Sequence, residues 1–575
     1  MSSLKRILTR RDFIKQAVAA TGSAFVLAAC QPKEVTTVVE KEVTKIVEKE
    51  VTKEVTTVVT EEVTKVVEKV VTATPVPTPE PVTFSYLRPV WGPATHAAGS
   101  AYEQELFTRA NVVIESQIVP VIEYETKLPV MVAGGTYADL MWHAGPDWGT
   151  AHDLIEQGAF LAINEYLDKY PAVKDAIGEA LWALTRSPDG NNYFFPAPLA
   201  CYVPFPISYR VDIYDQLGLG MPTTLDEFVE QLKEIRDKVP DMVPLTAHQY
   251  TLWYFQNVAV SHGYAWGNWV PDDGEPDDNP AKIVPGMLKE GCRNFLAFVQ
   301  SLRKENLIDP DYMITTGLEG ITKFRAGTAV TMVGHWGAMM QDNVELKKTV
   351  PEGNISYMPQ LTGPDRSMGA LTLSGFDRGF SISVEAKDKA DKIFQFLNWV
   401  YTDGYEFMRY GIEGKTYTVA EDGTKLGIPD TERETGWTSD NVEPFGFPIK
   451  AADTYPDWGA QLASFKQNNL EDKFGDTIKM YVTSAENAMP NWNHLTFSKT
   501  SAEKGSMLSE QYTTPAQETI AIDPEASLSV WDNALDEWLA NGGEQIISEV
   551  NETQKDKSPV KPVYELPEKW KSYLS

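Results

Sequence analysis

The chain has 575 residues, 42% of them hydrophobic and 23% charged, enough for two or three ordinary cores. Its net charge of −30 argues against nucleic acid, since neutralising phosphates needs a surplus of Lys and Arg. It also disfavours polyanionic ligands unless a local basic pocket overrules the global field.

Three cysteines, Cys30, Cys201 and Cys292, form neither a disulfide framework nor a zinc-finger spacing. No run of about 18 apolar residues is present to span a bilayer as a helix. Fifteen Trp and 24 Tyr serve mainly as packing, with some available as a stacking platform for a ligand.

The N-terminal stretch TRRDFIKQAVAATGSAFVLAACQ carries Lys5, Arg6, Arg10 and Arg11 before an uncharged run, residues 17–29, too short to cross a membrane. Small residues then precede Cys30. The arrangement resembles a bacterial lipoprotein signal, which implies acylation of Cys30 and removal of residues 1–29. The Arg10-Arg11 segment resembles the twin-arginine export motif. Residues 34–71 repeat a unit of about eight with Val or Ile at a mean spacing too long for a sustained coiled-coil seam. The Pro-rich run TPVPTPEP follows, so residues 30–81 read as a low-complexity tether, extended at its end.

From Val82 the pattern alternates. Strands are expected at 82–87, 112–121 and 138–143, and helices at 97–109 and 124–132, which is α/β patterning with parallel-sheet character. Thr224 and Glu227 form a capping box opening a helix whose apolar face is Leu225, Phe228, Val229, Leu232 and Ile235. Further helices are expected at 386–401 and 528–539.

Five stretches, in order, then resemble the family-1 extracellular solute-binding proteins of ABC importers. They are LPVMVAGGTYADLMW (128–142), residues 189–227 with DGNNYFFPAP and YRVDIYDQLGL, FRAGTAVTMVGHWGAMM (324–340), residues 386–405, and YGIEGKTYTV (410–419). The last resembles the lipoprotein branch associated with oligosaccharides. The resemblance implies an α/β, two-lobe, periplasmic-binding-protein-like fold with hinge strands and an interlobe cleft. Lobe 1 would comprise 82–205 and 370–450, lobe 2 would comprise 206–369 and 451–550, and 551–575 would be a tail packed on the body. The protein would be a monomer that captures a sugar or oligosaccharide and delivers it to the permease subunits of an ABC importer. It would be held by lipid on the extracytoplasmic face of a bacterial membrane, with no catalysis and no cofactor.

The same resemblance places Trp142 as a first-lobe stacking aromatic, with His143 and Asp147 beyond it, and Trp336 as its second-lobe counterpart. Trp253 and Tyr254 fall near a second-lobe aromatic pair, Trp266 and Trp269 lie close in sequence, Tyr202 and Arg378 lie at interlobe crossings, and Trp492 with Asn493 lies in a late loop. Aromatic faces would cover the C–H surface of a sugar ring, while polar groups would meet its hydroxyls.

The chain departs from that branch after the capped helix, where KVPDMVP has too few oxygen ligands for a calcium loop, and DDGEPDDN (272–279) reads as a solvated turn. No histidine pair forms a metal motif, His335 reads as a strand-end hydrogen-bond donor, and Cys201 and Cys292 read as free buried thiols. The rival readings are a secreted carbohydrate-active enzyme, the same fold binding a peptide or polyamine, and a stalked adhesin.

Overall fold

The computed structural model describes residues 80–90, 95–135, 138–144, 154–199, 202–248, 251–264, 267–315, 317–334, 337–373, 375–421, 423–451, 456–521, 524–553, 555–561 and 564–574. The chain divides into two compact units, 1–77 and 78–575, and every described residue belongs to the second. Arg10, Arg11, Cys30 and the repeats lie outside the described residues.

In chain order the strands are β1 (Val82–Val90), β2 (Val112–Pro120), β3 (Leu140–Ala144), β4 (Phe195–Pro198), β5 (Tyr202–Val203), β6 (Ile207–Arg210) and β7 (Val243–Thr246). Then come β8 (Trp269–Pro271), β9 (Ile283–Pro285), β10 (Ala329–Val333), β11 (Ile355–Tyr357), β12 (Leu371–Thr372), β13 (Phe376–Ile382), β14 (Tyr417–Val419) and β15 (Lys425–Gly427).

Two sheets organise them. The first runs β2-β1-β3-β13-β4, with β1 parallel to β2 and β3, and β13 antiparallel to β3 and β4. The second runs β11-β6-β10-β7, with β10 parallel to β7 and antiparallel to β6. The chain passes from one sheet to the other through β5 and returns through β12, and these two strands pair antiparallel, Val203 against Leu371 and Tyr202 against Thr372. That pair is the hinge ribbon.

Local chemistry explains the element ends. The helix expected from 97 begins at Ala101, because Ser100 accepts the Glu103 N–H at 3.2 Å and so caps it, and Asn111 in the left-handed region (φ 50°) ends it. The helix expected from 386 begins at Ala390, since Ser383 caps a short 3₁₀ turn, Val384–Ala386, immediately before it. The helix Leu225–Lys238 has both halves of its capping box, and Leu225, Phe228, Leu232 and Ile235 are buried while Val229 is half-buried. The last expected helix starts four residues earlier, at Pro524, a residue suited to the first helical turn.

The buried side chains fall into separate cores. One joins Phe84, Tyr86, Trp142, Phe195, Phe380, Phe394 and Phe445 around the first sheet, and each such side chain contributes roughly 1.5–3 kcal/mol by leaving water. Two others lie with the second sheet: Phe228, Leu245, Phe295, Trp492 and Trp531 in one, and Phe324, Ile355, Trp458, Phe474 and Tyr481 in the other. The chain's end joins the latter, with Tyr564 against Tyr481 at 5.1 Å and Tyr573 against Phe474 at 4.9 Å.

Cys292 is a free, fully buried thiol, pushed up to about 12 by burial, while Cys201 lies outside the described residues. In YGIEGKTYTV, Gly411 (φ 80°) makes the turn, and Thr416 Oγ1 accepts from Ile412 N at 2.9 Å and donates to Tyr410 O at 2.5 Å.

Candidate ligand-binding site

The first-lobe site begins at the ends of β1 and β3. Parallel pairing sets Tyr86 beside Leu140 and Leu87 beside Met141, which brings Arg88 next to Trp142. Trp142 is only 8% exposed, its carbonyl accepts from the Tyr124 hydroxyl, and its indole lies under the Arg88 guanidinium at 5.4 Å. Its indole N–H meets no acceptor. On the other side, Phe380 pairs with Trp142 and Arg378 with Ala144, so strand alternation carries the half-buried Arg378 to the same face as Trp142.

That alternation decides His143 differently. It points to the opposite face, where it is fully buried, stacks on Phe160 at 5.1 Å and shares a 2.8 Å hydrogen bond with Ser381 Oγ. Its ring is engaged in the core rather than offered to a ligand.

In the second lobe, Tyr254 is half-buried, edge-on to Phe205 at 5.5 Å and to His248 at 4.4 Å. Burial lowers the His248 pKa to about 4, so the imidazole is neutral at physiological pH. Trp269 opens β8 and is half-buried.

Trp492 and Asn493 are absorbed by the second-lobe interior. Trp492 is 1% exposed and donates its indole N–H to Lys557 O at 2.9 Å. Asn493 accepts from Trp269 N at 2.7 Å and donates to Gly267 O at 3.0 Å. The neighbouring Asn491 donates to Thr372 O at 2.6 Å, so this loop secures hinge strand β12. These side chains build the hinge's support; their polar groups are engaged by the protein.

Asp147, Trp266 and Trp336 lie outside the described residues, as do the side chains of Tyr202 and Trp253. The structure therefore groups Trp142 with Arg378 and, separately, Trp269, Trp492 and Asn493.

Two features were missed in the sequence. Arg88 was one; the available signal was a lone basic residue inside the apolar strand FSYLRPV. Asn257, fully buried with neither amide atom partnered, was the other, and nothing in its surroundings in the sequence marks it.

The acid-rich turn is occupied by cations of the chain itself. Lys282 bonds Asp272 at 2.8 Å, Lys289 bonds Asp273 and Lys561 bonds Asp278. Among the described residues, no group of three or more His, Cys, Asp or Glu is placed to hold a metal ion.

The family model for bacterial extracellular solute-binding proteins matches residues 92–406. Among curated proteins, the polygalacturonan/rhamnogalacturonan-binding protein YtcQ of Bacillus subtilis (strain 168) is 22% identical over 79% of this chain and 87% of its own length. Lipoprotein LipO of the same organism is 20% identical over 82% of this chain and 91% of its own. Among solved structures, the alginate-binding protein AlgQ2 superposes with a TM-score of 0.62 at 18% identity, over 83% of this chain and 98% of that one. A solute-binding protein described as HMO-binding and ABC-transporter-associated, from Bifidobacterium longum infantis ATCC 15697, does so with a TM-score of 0.60 at 17% identity, over 83% and 99%. These likenesses establish the two-lobe fold, and the family match spans more than half of the sequence. The chain belongs to the family of bacterial extracellular solute-binding proteins.

Proposed function

We propose that this protein captures an oligosaccharide between its lobes and hands it to the permease subunits of an ABC importer. The observation that carries the reading is the family match joined to similarity, over 79% of this chain, to YtcQ, a protein named for binding polygalacturonan and rhamnogalacturonan. The apolar faces of a sugar ring are matched by aromatic side chains, and its hydroxyls need polar partners to offset lost water. Trp142 from the first lobe and Trp336 from the second are the proposed stacking pair, with Arg378, Tyr202, Trp253, Tyr254, Trp266 and Asp147 as further members. The lobes are assigned as 82–205 with 370–450 and 206–369 with 451–550, hinged at β5 and β12.

A monomer is proposed, tethered by lipid at Cys30 with residues 30–81 as spacer. Two acyl chains of a diacylglycerol suffice for stable anchoring. Similarity to a protein named lipoprotein supports the anchor.

A thermal-shift screen of the protein against a panel of oligosaccharides tests the function, followed by incubation and product analysis. A stabilising, chemically unchanged oligosaccharide is expected; hydrolysis or elimination products would sink the reading in favour of an enzyme. Trp336→Ala is expected to weaken binding of the hit at least tenfold, about 1.4 kcal/mol, with the melting temperature retained. Unchanged affinity by calorimetry removes Trp336 from the site.

A further inference from the structure

The charge of the ligand is written in an arginine. Arg88 sits at the end of β1, 6% exposed, inside a protein of net charge −30. Lys557, at 5%, bonds no carboxylate among the described residues, but an arginine, which cannot shed its charge, is expected to find one when buried this deeply, because an unpaired buried charge is costly. Arg210, at 2%, does so through Asp212. Arg88 does not. Its Nη1 donates to Gly446 O at 2.6 Å, its Nε makes a long 3.4 Å bond to Pro89 O, and its Cζ lies over the Trp142 ring at 5.4 Å and the Tyr86 ring at 5.9 Å. No carboxylate among the described residues bonds it, and its Nη2 meets no acceptor among them.

The approach to Gly446 is built in. A Cβ at position 446 would stand 2.8 Å from Arg88 Nη1, so a side chain there would push the guanidinium away from that carbonyl. Held there by two carbonyls and two rings, the guanidinium is oriented but not neutralised. On the ring that Arg88 covers, the Trp142 indole N–H is a second donor without an acceptor. An unmatched N–H alone is not diagnostic, since Trp531 has one in an apolar core. The conjunction of a fixed cation and a free donor, on the face of the first sheet that also carries Arg378, asks for an anion with two or more acceptor atoms.

We infer that the oligosaccharide held by this protein carries carboxylate groups, as a uronate-containing chain does, and that Arg88, floored by Trp142, is where the first lobe meets one of them. The inference rests on the proposed sugar-binding function and narrows it. Planar guanidinium and carboxylate match in a bidentate pair, which a sugar hydroxyl cannot reproduce. The chain's overall negative charge does not oppose this strongly, since exposed charges are screened beyond about 8–10 Å at physiological ionic strength.

The test is calorimetry of the full chain with trimers of galacturonate, glucuronate and mannuronate, each also as its methyl ester, and with neutral trimers of glucose and galactose. At least one uronate is expected to bind, with its methyl ester at least tenfold weaker. Arg88→Lys should reduce that acid-over-ester ratio severalfold, whereas a purely structural role would weaken both forms alike. If Arg88→Lys fails to fold, the wild-type ratio of acid to ester still decides. Equal binding of acid and ester, or binding of neutral trimers with no uronate bound, overturns the carboxylate inference and leaves sugar binding standing. Binding of none of these sugars overturns both.

Discussion

Trp142 in the first lobe and Trp492 in the second are sealed from solvent to a similar degree, at 8% and 1%, yet the protein treats their indole N–H groups differently. Trp492 donates to Lys557 O at 2.9 Å, and its neighbour Asn493 has both amide ends engaged. Trp142 has a cation over its ring and nothing to receive its proton. The second-lobe loop is finished, with its polar groups spent on Trp269, Gly267 and, through Asn491, the hinge strand. The first-lobe strand ends are unfinished. What separates these two tryptophans is therefore not exposure but the conjunction at Trp142 of an uncompleted indole N–H with an unneutralised cation over the ring.

The largest expected effect that could break this contrast is on Trp492. Trp492→Ala removes a fully buried ring and strands the Lys557 carbonyl, so about 3–5 kcal/mol of stability should be lost in denaturant unfolding. A loss below about 1 kcal/mol would show that the loop is not the structural support assigned to it.

A second effect sharpens the meaning of an unmatched polar atom. Asp342 in the second lobe is 1% exposed; Arg325 Nε reaches one carboxylate oxygen at 2.8 Å, and the other oxygen has no partner. Burial pushes this carboxyl up to about 6 despite the arginine beside it. A folded-state pKa above the unfolded one means the neutral form is favoured by folding. The group's contribution is then most favourable below about pH 4 and is lost as pH rises through about 6. Asp342→Asn should abolish that slope, worth on the order of 2–3 kcal/mol between pH 4 and 7. Melting curves of wild type and variant that stay parallel across this range would contradict it. Here the missing partner is a proton, whereas at Trp142 and Arg88 it is a ligand.

How far the sequence reaches follows from the range of each interaction. The capped helix at 225–238 was legible because Thr224 and Glu227 are three residues apart and the buried face repeats within the same helix. The early start assigned to the helix at 101 was a misjudged local signal, since Ser100 caps better than the residues before it. The lobes were legible only through a resemblance, because β13 joins the first sheet some 230 residues after β3, a separation no periodicity reports. Trp492 could not be told from Trp142 in the sequence, since its acceptor is 65 residues downstream. His143 was grouped with Trp142 although adjacent strand residues face opposite ways, so alternation alone would have separated them. Arg88 passed unnoticed because its partner, Gly446, is 358 residues away.

The smallest expected effect is the most direct comparison of the two tryptophans. Replacing indole by phenyl keeps an aromatic ring and deletes the N–H, at a similar loss of volume in both places. At Trp492 the deletion leaves Lys557 O buried without its donor, which costs about 1–2 kcal/mol beyond the volume term. At Trp142 no bond is broken, because none is made, and the buried donor that disappears was itself a cost. Trp492→Phe should therefore destabilise the protein by about 1–2 kcal/mol more than Trp142→Phe, read from paired urea unfolding curves of the ligand-free protein. With bound oligosaccharide the order should narrow or reverse, since Trp142→Phe then forfeits a donor that the ligand had been using. Equal destabilisation in the free protein would mean that the two indoles are equally satisfied, and the distinction between the finished loop at Trp492 and the unfinished strand end at Trp142 would fall with it.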